Sequence, residues 1–230
     1  MPNKNSQVRN NNLGSSDSSH FQHEIWENCT GMFPFFLNQF NPYSCSVASV
    51  VIVLNTIISR INKDKVIQPV DQQEILQKVD AVNWRERVSA RGFEGRHGLT
   101  VIELGIVVEA TLNTYKVPFR KLKTVPIHKN LKNLNKEKDR LFSLLTSYCQ
   151  DKNQYIIAHF MQGVFTGDYF GGHISPIGAF DPVGSRVLIL DVDKDTENPY
   201  WVPFELFFEG LVGESKTIGP KGGGYVSIFV

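Results

Sequence analysis

The sequence predicts an α+β fold in which helices come first and an antiparallel sheet follows. Two observations carry this expectation. The first is a set of apolar runs at helical spacing before residue 150, the longest opening at Cys45. The second is a change of character after it: YIIAHFM, GHISPIGAF, SRVLILDV and YVSIFV are short, β-branched and aromatic, and Gly, Pro and Asp turns separate them. Segregated helices and strands point to α+β, not to an alternating parallel fold. With 230 residues, 41% of them hydrophobic, the chain can bury one large core or two small lobes sharing a cleft.

Taken in order, residues 1–20 are Asn- and Ser-rich with little to bury, and a disordered polar tail is expected there. Residues 21–230 are expected to form one domain. From Phe21 the composition turns aromatic, which predicts a packed, irregular lead-in ending at Gln39. PYSCSVASVVIVLNTI then opens a helix expected over 45–60. INKDKVIQPVD carries Pro69 and reads as a loop, after which Asp71 caps a second helix, DQQEILQKVDAV. Thr100 with Glu103 three residues on forms a capping box ahead of Leu104, Ile106, Val107 and Val108. YKVPFRKLK reads as a short exposed strand. KNLNKEKDRLFSLLTSYCQ places Leu134, Leu141, Leu144, Leu145 and Tyr148 on one helical face. The four strands named above complete the chain as neighbours in one antiparallel sheet.

A formal net charge of +1 argues against nucleic acid as the main partner. No stretch approaches 18 uninterrupted apolar residues, and the N-terminus lacks the apolar region of a secretory leader, so no membrane partner and a cytoplasmic location are expected. Delivery elsewhere through the tail stays open. Cys29, Cys45 and Cys149 are too few and scattered for a disulfide framework or a zinc cluster, so no protein metal site is expected.

Cys45 has two readings. It is a buried cysteine opening a core helix, or it is a nucleophile placed where free N–H groups and the helix dipole favour a thiolate. A nucleophile needs a base, a group to orient the base, and donors for the oxyanion. Of six histidines, His20 and His23 lie in or near the tail, His97 in a Gly-rich loop, and His128 after a proline; His159, inside a strand, reads as a satisfied structural residue. His173 follows two glycines and opens a strand, and eighteen residues later the next strand ends in Asp191. If the two strands form a hairpin, the Asp191 carboxylate can hold the Nδ1–H of His173, although a solvated Asp at a strand end is the commoner case. Gln39, six residues before Cys45, can offer its amide N–H to an oxyanion. The order Gln, Cys, His, Asp, helical lobe before sheet lobe, is the layout of a papain-like, two-lobe thiol hydrolase.

Four stretches then carry a family resemblance: QFNPYSCSVASVVIVLN, GLTVIELG, GGHISPIGAF…RVLILDV and NPYWVPFELFFEGL. The chain resembles the catalytic domain of phytochelatin synthases over about residues 26–230. General papain-like peptidases carry neither HISPIGAF nor LILDV…YWVP. The resemblance implies glutathione as the partner. Cys45 attacks the carbonyl joining γ-Glu-Cys to Gly, glycine leaves protonated by His173, and a γ-glutamylcysteinyl thioester remains on Cys45. Water or the amine of a second glutathione then resolves it. No cofactor is implied as required; cadmium or zinc enters as a thiolate complex of the substrate, which ties the chemistry to metal detoxification. The chain is expected to carry no Cys-rich metal-sensing extension, and a homodimer stays open.

Several positions depart from the family pattern. Ser46 stands where the family has Gly after the nucleophile, and Gln162 where a basic residue is common. DKDTENP, with Lys194 its single basic residue, replaces an Arg-x-Lys-Tyr-Pro-Pro run, and KGGGY replaces an Arg-Gly-aromatic start to the last strand. Glu214, Lys221 and Gly172 are the candidate substrate-binding residues; for Glu214 and Lys221 a solvated charged loop is the competing reading. Fewer basic residues near the site predict that hydrolysis to γ-Glu-Cys and glycine outweighs peptide elongation. A papain-like peptidase or deamidase acting on a protein is the alternative enzyme. A metal-buffering module is the non-enzymatic one, disfavoured by three isolated cysteines.

Overall fold

The computed structural model describes residues 30–64, 66–148, 150–167, 171–196, 199–213 and 222–230. A 3-10 helix, Thr30–Phe35, leads into α1 (Cys45–Ile61), α2 (Gln72–Lys78), α3 (Trp84–Arg87) and α4 (Val101–Thr114). Then come β1 (Lys121–Pro126), α5 (Leu134–Tyr148), β2 (Gln154–Met161), α6 (Gly163–Thr166), β3 (Gly172–Asp181), β4 (Arg186–Ile189), β5 (Tyr200–Pro203), α7 (Phe204–Val212) and β6 (Gly224–Phe229). The expected α+β class is observed: helices dominate the first half, and the strands form one sheet, antiparallel at every pairing.

α1 is the axis of the molecule. Every residue from Cys45 to Ile57 is buried, because the run is apolar around the whole helix and suits a core element enclosed on all sides. Its buried polar residues, Ser46, Ser49, Asn55 and Thr56, each have a hydrogen-bond partner. Asn55 exchanges two hydrogen bonds of 2.9 Å with the backbone of Val70, pinning the loop that follows the helix. The Ser49 hydroxyl lies 2.8 Å from Cys45 O and 2.9 Å from Ile174 O, joining α1 to β3. Farther along, Arg60 lies over the Tyr155 ring at 5.4 Å.

The caps read from the sequence are present. Asp71 accepts from the N–H groups of Gln73 and Glu74 at the start of α2, which stops at Lys78, short of the expected end. Thr100 and Glu103 form a complete capping box on α4, and Glu103 also pairs with the buried Arg87 at 2.9 Å. On α5, Leu141, Leu145 and Tyr148 are buried while Leu134 and Leu144 are partly so. β1 is shorter than the YKVPFRKLK run, beginning at Lys121.

The sheet order is β1-β6-β2-β3-β4-β5, so the final strand inserts between the first two. β2 is buried along its length. β3 and β4 form the expected hairpin, turned by Asp181, whose carboxylate accepts from Val183 and Gly184 and pairs with Arg186 at 2.7 Å. A register shift between Ile177 and Ala179 bulges β3 at Gly178, where a Cβ would stand 2.9 Å from the Leu190 side chain. β4 ends at Ile189, and Leu190 N–H then bonds Pro176 O at 3.0 Å, holding the exit of the hairpin against β3. β5 and α7 extend the expected set of elements. Phe204 of α7 packs edge-on with Phe142 of α5 and Phe180 of β3.

Candidate active site

Three elements converge on the N-terminus of α1. Cys45 is its first residue and is 7% exposed; His173 stands at the start of β3 and is 4% exposed; Asp191 follows the end of β4 and is fully buried. His173 Nε2 lies 2.7 Å from Asp191 Oδ1, so the hairpin brings these residues together across their eighteen-residue interval. The Cys45 thiol lies near enough to the ring to favour its charged form. The carboxylate therefore meets the other ring nitrogen from the one expected: Asp191 engages Nε2, not Nδ1. The physical reason is the approach direction. Asp191 lies beyond the end of β4 and reaches the far edge of a ring that projects from the start of β3.

The electrostatics follow from burial and pairing. Burial alone would push the His173 pKa down. The Asp191 carboxylate, by charge and hydrogen bond, and then Cys45, outweigh that and raise it to about 10. Burial would likewise push Asp191 up, yet His173, the Tyr200 hydroxyl and the Asp193 N–H together hold it below the usual carboxylate range. His159 is the opposite case: wholly buried and beside the charge of His173, it is pushed down to about 3. Among the described residues the buried Nδ1 of His159 has no hydrogen-bond partner, so the satisfaction expected of this strand histidine is not seen at that nitrogen.

Gln39 is tied to the site by its backbone, whose N–H donates to Val192 O at 2.8 Å, one residue beyond Asp191. Its side-chain Oε1 is buried without a partner, and the amide makes no hydrogen bond among the described residues. The Gln39 backbone thus adjoins the segment that carries Asp191. Gly172 pairs with Met161 where β3 begins and is half-buried. Glu214 and Lys221 lie outside the described residues, as do Cys29 and Cys149. Among the described residues no group of three or more His, Cys, Asp or Glu side chains is arranged to hold a metal ion, and no helix is long and apolar enough to cross a membrane.

Two departures from the family pattern have local explanations. Ser46 is fully buried and accepts a hydrogen bond of 2.9 Å from Trp84 Nε1, so its hydroxyl ties α1 to α3. Gln162, also buried, directs its Nε2 at Asp191 Oδ2 (3.4 Å) and Asp193 Oδ2 (3.3 Å). Sequence reasoning missed Tyr200, whose hydroxyl donates to Asp191 Oδ2 at 2.6 Å. The one available signal was YWVP following LILDV, which marked a shared stretch without marking a role. The Gly-rich loop also approaches the nucleophile: His97 stacks on Tyr43, two residues before Cys45, at 3.9 Å between ring centroids. A small cavity lined by Met32, Arg60, Tyr148 and Tyr155 lies at the other end of α1, about 22 Å away along the helix, and takes no part in this arrangement.

A buried imidazole beside a carboxylate and a thiol at a helix start is an arrangement suited to a thiol nucleophile. A family model described as phytochelatin synthase matches residues 16–223, and the chain belongs to that family. It is 35% identical over 74 residues to "Glutathione gamma-glutamylcysteinyltransferase 1" of Arabidopsis thaliana, a match covering 31% of this chain and 15% of that protein. It is 40% identical over 58 residues to "Glutathione gamma-glutamylcysteinyltransferase" of Schizosaccharomyces pombe, covering 25% of this chain and 13% of that one. The matches thus span about a seventh of those relatives.

Proposed function

We propose that the protein is a glutathione γ-glutamylcysteinyltransferase whose residues 21–230 form one catalytic domain, and that Cys45, His173, Asp191 and Gln39 carry the reaction. The observation that supports this most directly is the His173 ring buried between Cys45 and Asp191. With the thiol's proton already resting on His173, the Cys45 sulfur attacks the carbonyl that joins γ-Glu-Cys to glycine. The tetrahedral oxyanion accepts from the Gln39 amide and from the Cys45 N–H, which as the first N–H of α1 has no acceptor one turn back. His173 passes its proton to the departing glycine amine, leaving a γ-glutamylcysteinyl thioester on Cys45. Water, or the amine of a second glutathione, then attacks the thioester with His173 as base. Glu214, Lys221 and Gly172 are the groups proposed to hold the γ-glutamyl end.

Hydrolysis is proposed to outweigh elongation. Gln162 carries no charge, and Asp193 adds a carboxylate close to Asp191. A second, anionic glutathione thus approaches carboxylates where the family commonly offers a basic residue. Any cadmium or zinc enters as the thiolate complex of the substrate. With glutathione and either metal, γ-Glu-Cys and glycine are expected as the main products; efficient formation of (γ-Glu-Cys)2-Gly contradicts this. Release of glycine from glutathione with no cleavage of protein substrates tests the substrate assignment. The reverse pattern would point to a peptidase or deamidase.

A further inference from the structure

Asp191 is fully buried and surrounded by donors from four directions. Oδ1 receives His173 Nε2 of β3 at 2.7 Å and the Asp193 N–H of its own segment at 2.9 Å. Oδ2 receives the Tyr200 hydroxyl of β5 at 2.6 Å and, at 3.4 Å, the Gln162 amide that follows β2. The two ends of the carboxylate are therefore held unequally. Oδ1 has two short bonds, whereas Oδ2 depends on the phenol, because the Gln162 contact is long and shared with Asp193 Oδ2 at 3.3 Å.

We infer that Tyr200 is a positioning residue for the reaction: its hydroxyl locks the Asp191 carboxylate so that Oδ1 stays aligned with His173 and the imidazole stays aligned with Cys45. The inference rests on the triad reading given above. A carboxylate pinned at one oxygen alone can rotate about its Cβ–Cγ bond, and each rotation that swings Oδ1 away breaks the bond that orients the imidazole. The phenol supplies the second pin, and a charge-assisted O–H···O bond of this length is among the stronger hydrogen bonds a protein makes. Tyr200 is suited to the role because the next residues, Trp201 and Val202, pair with Leu188 and Val187 of β4. Tyr200 itself pairs with Ile189, two residues before Asp191. The phenol is thus borne by the strand adjoining the one that delivers the carboxylate, and the two move as one ladder. Buried and facing the charges of Asp191 and Asp193, the phenol keeps its proton well above its ordinary range and remains a donor at any working pH.

The charged and titratable groups facing Asp191 are His173, Tyr200 and Asp193, with Cys45 acting through the imidazole. Removing the hydroxyl withdraws a donor from the charged form of Asp191, so Asp191 takes up a proton at higher pH than before. Protonated, it no longer supports an imidazolium. The acid limb of reactivity therefore moves to higher pH, an effect that a purely structural role for the ring does not produce.

Tyr200→Phe keeps the ring and its packing and removes only the hydroxyl. The full chain is compared with this variant in two ways. The first is the pH dependence of iodoacetamide alkylation at Cys45, which needs no substrate; the second is steady-state glycine release from glutathione. The expected result is an acid limb of alkylation moved to higher pH, together with a fall in kcat of roughly ten- to a hundredfold with KM little changed. Tyr200→His, which retains a donor, is expected to recover part of the rate. An alkylation profile in Tyr200→Phe that superimposes on that of the parent protein overturns the inference, provided the variant keeps its circular dichroism and melting profile. If Tyr200→Phe does not fold, Tyr200→Leu, which also lacks the hydroxyl, takes its place, and a Tyr200→Leu protein that folds yet shows both the parent alkylation profile and the parent kcat overturns it. If glycine is not released by the parent protein, the glutathione reading fails, while a shifted alkylation limb still supports the role of Tyr200.

Discussion

At the scale of single residues, charge placement decides what the site can do. His173 keeps its proton to about pH 10 because Asp191 and Cys45 both favour the charged ring, and a protonated imidazole is what a departing amine needs. Replacing Asp191 by Asn keeps the size and removes the charge. Turnover is expected to fall at least about a hundredfold, as it should for Cys45→Ala and His173→Asn, with circular dichroism little changed. A Cys45→Ser protein that kept full activity would end the nucleophile assignment. His159 and His173 also set the pH range of stability. Between about pH 3 and pH 6.5 an unfolded His159 binds a proton that the folded one refuses, so stability falls as pH falls through that window. Above about pH 6.5 the unfolded His173 gives up a proton that the folded one keeps until about 10, so stability falls as pH rises. Denaturant titrations are expected to show greatest stability near pH 6.5, with slopes of up to about 1.4 kcal/mol per pH unit on either side. Replacing His159 by an uncharged residue of similar size should flatten the acid side and leave the alkaline side unchanged.

At the scale of elements, what was legible in the sequence was what is local. The Thr100–Glu103 capping box, the Asp71 cap and the apolar run of α1 involve residues within a few positions of each other, and all three were read correctly. The insertion of β6 between β1 and β2 depends on pairing between strands far apart in the chain, and no local pattern encodes it. α7 was missed because its aromatic residues continue those of β5 without a break, with Pro203 as the single mark between them. The glycine that opens β6 offers a test of that long-range pairing. Gly224 has φ +140°, and a Cβ there would stand 2.1 Å from Val125 O, a backbone atom that cannot step aside. Gly224→Ala is expected to cost roughly 2–4 kcal/mol by thermal or denaturant unfolding. Gly95 has φ +72° but nothing within 4 Å of a Cβ, so Gly95→Ala should cost only the conformational strain, about 1–2 kcal/mol. Equal losses at the two positions would contradict the packing described here.

At the scale of the whole molecule, the site exists because two halves of the chain meet. The helical half supplies Cys45 and, in the proposed reaction, Gln39, and the sheet half supplies His173 and Asp191. The residues were legible one by one, since a cysteine at a helix start, a histidine after two glycines and an aspartate after a strand each have a chemical reason to be noticed. Which imidazole nitrogen meets which partner was not legible, because it depends on the angle at which the β3–β4 hairpin crosses α1. Nor was the support of Asp191 by Tyr200 and Gln162, since hydrogen bonds between separate elements leave no spacing in the sequence. The central claim, a thioester between Cys45 and a γ-glutamylcysteinyl group, is most directly tested by mass spectrometry of the protein acid-quenched moments after mixing with glutathione. One added γ-glutamylcysteinyl group on the peptide that contains Cys45, with glycine released in equal amount, is the predicted result. Glycine release with Cys45 unmodified at every time sampled, or with the acyl group on another residue, would contradict it.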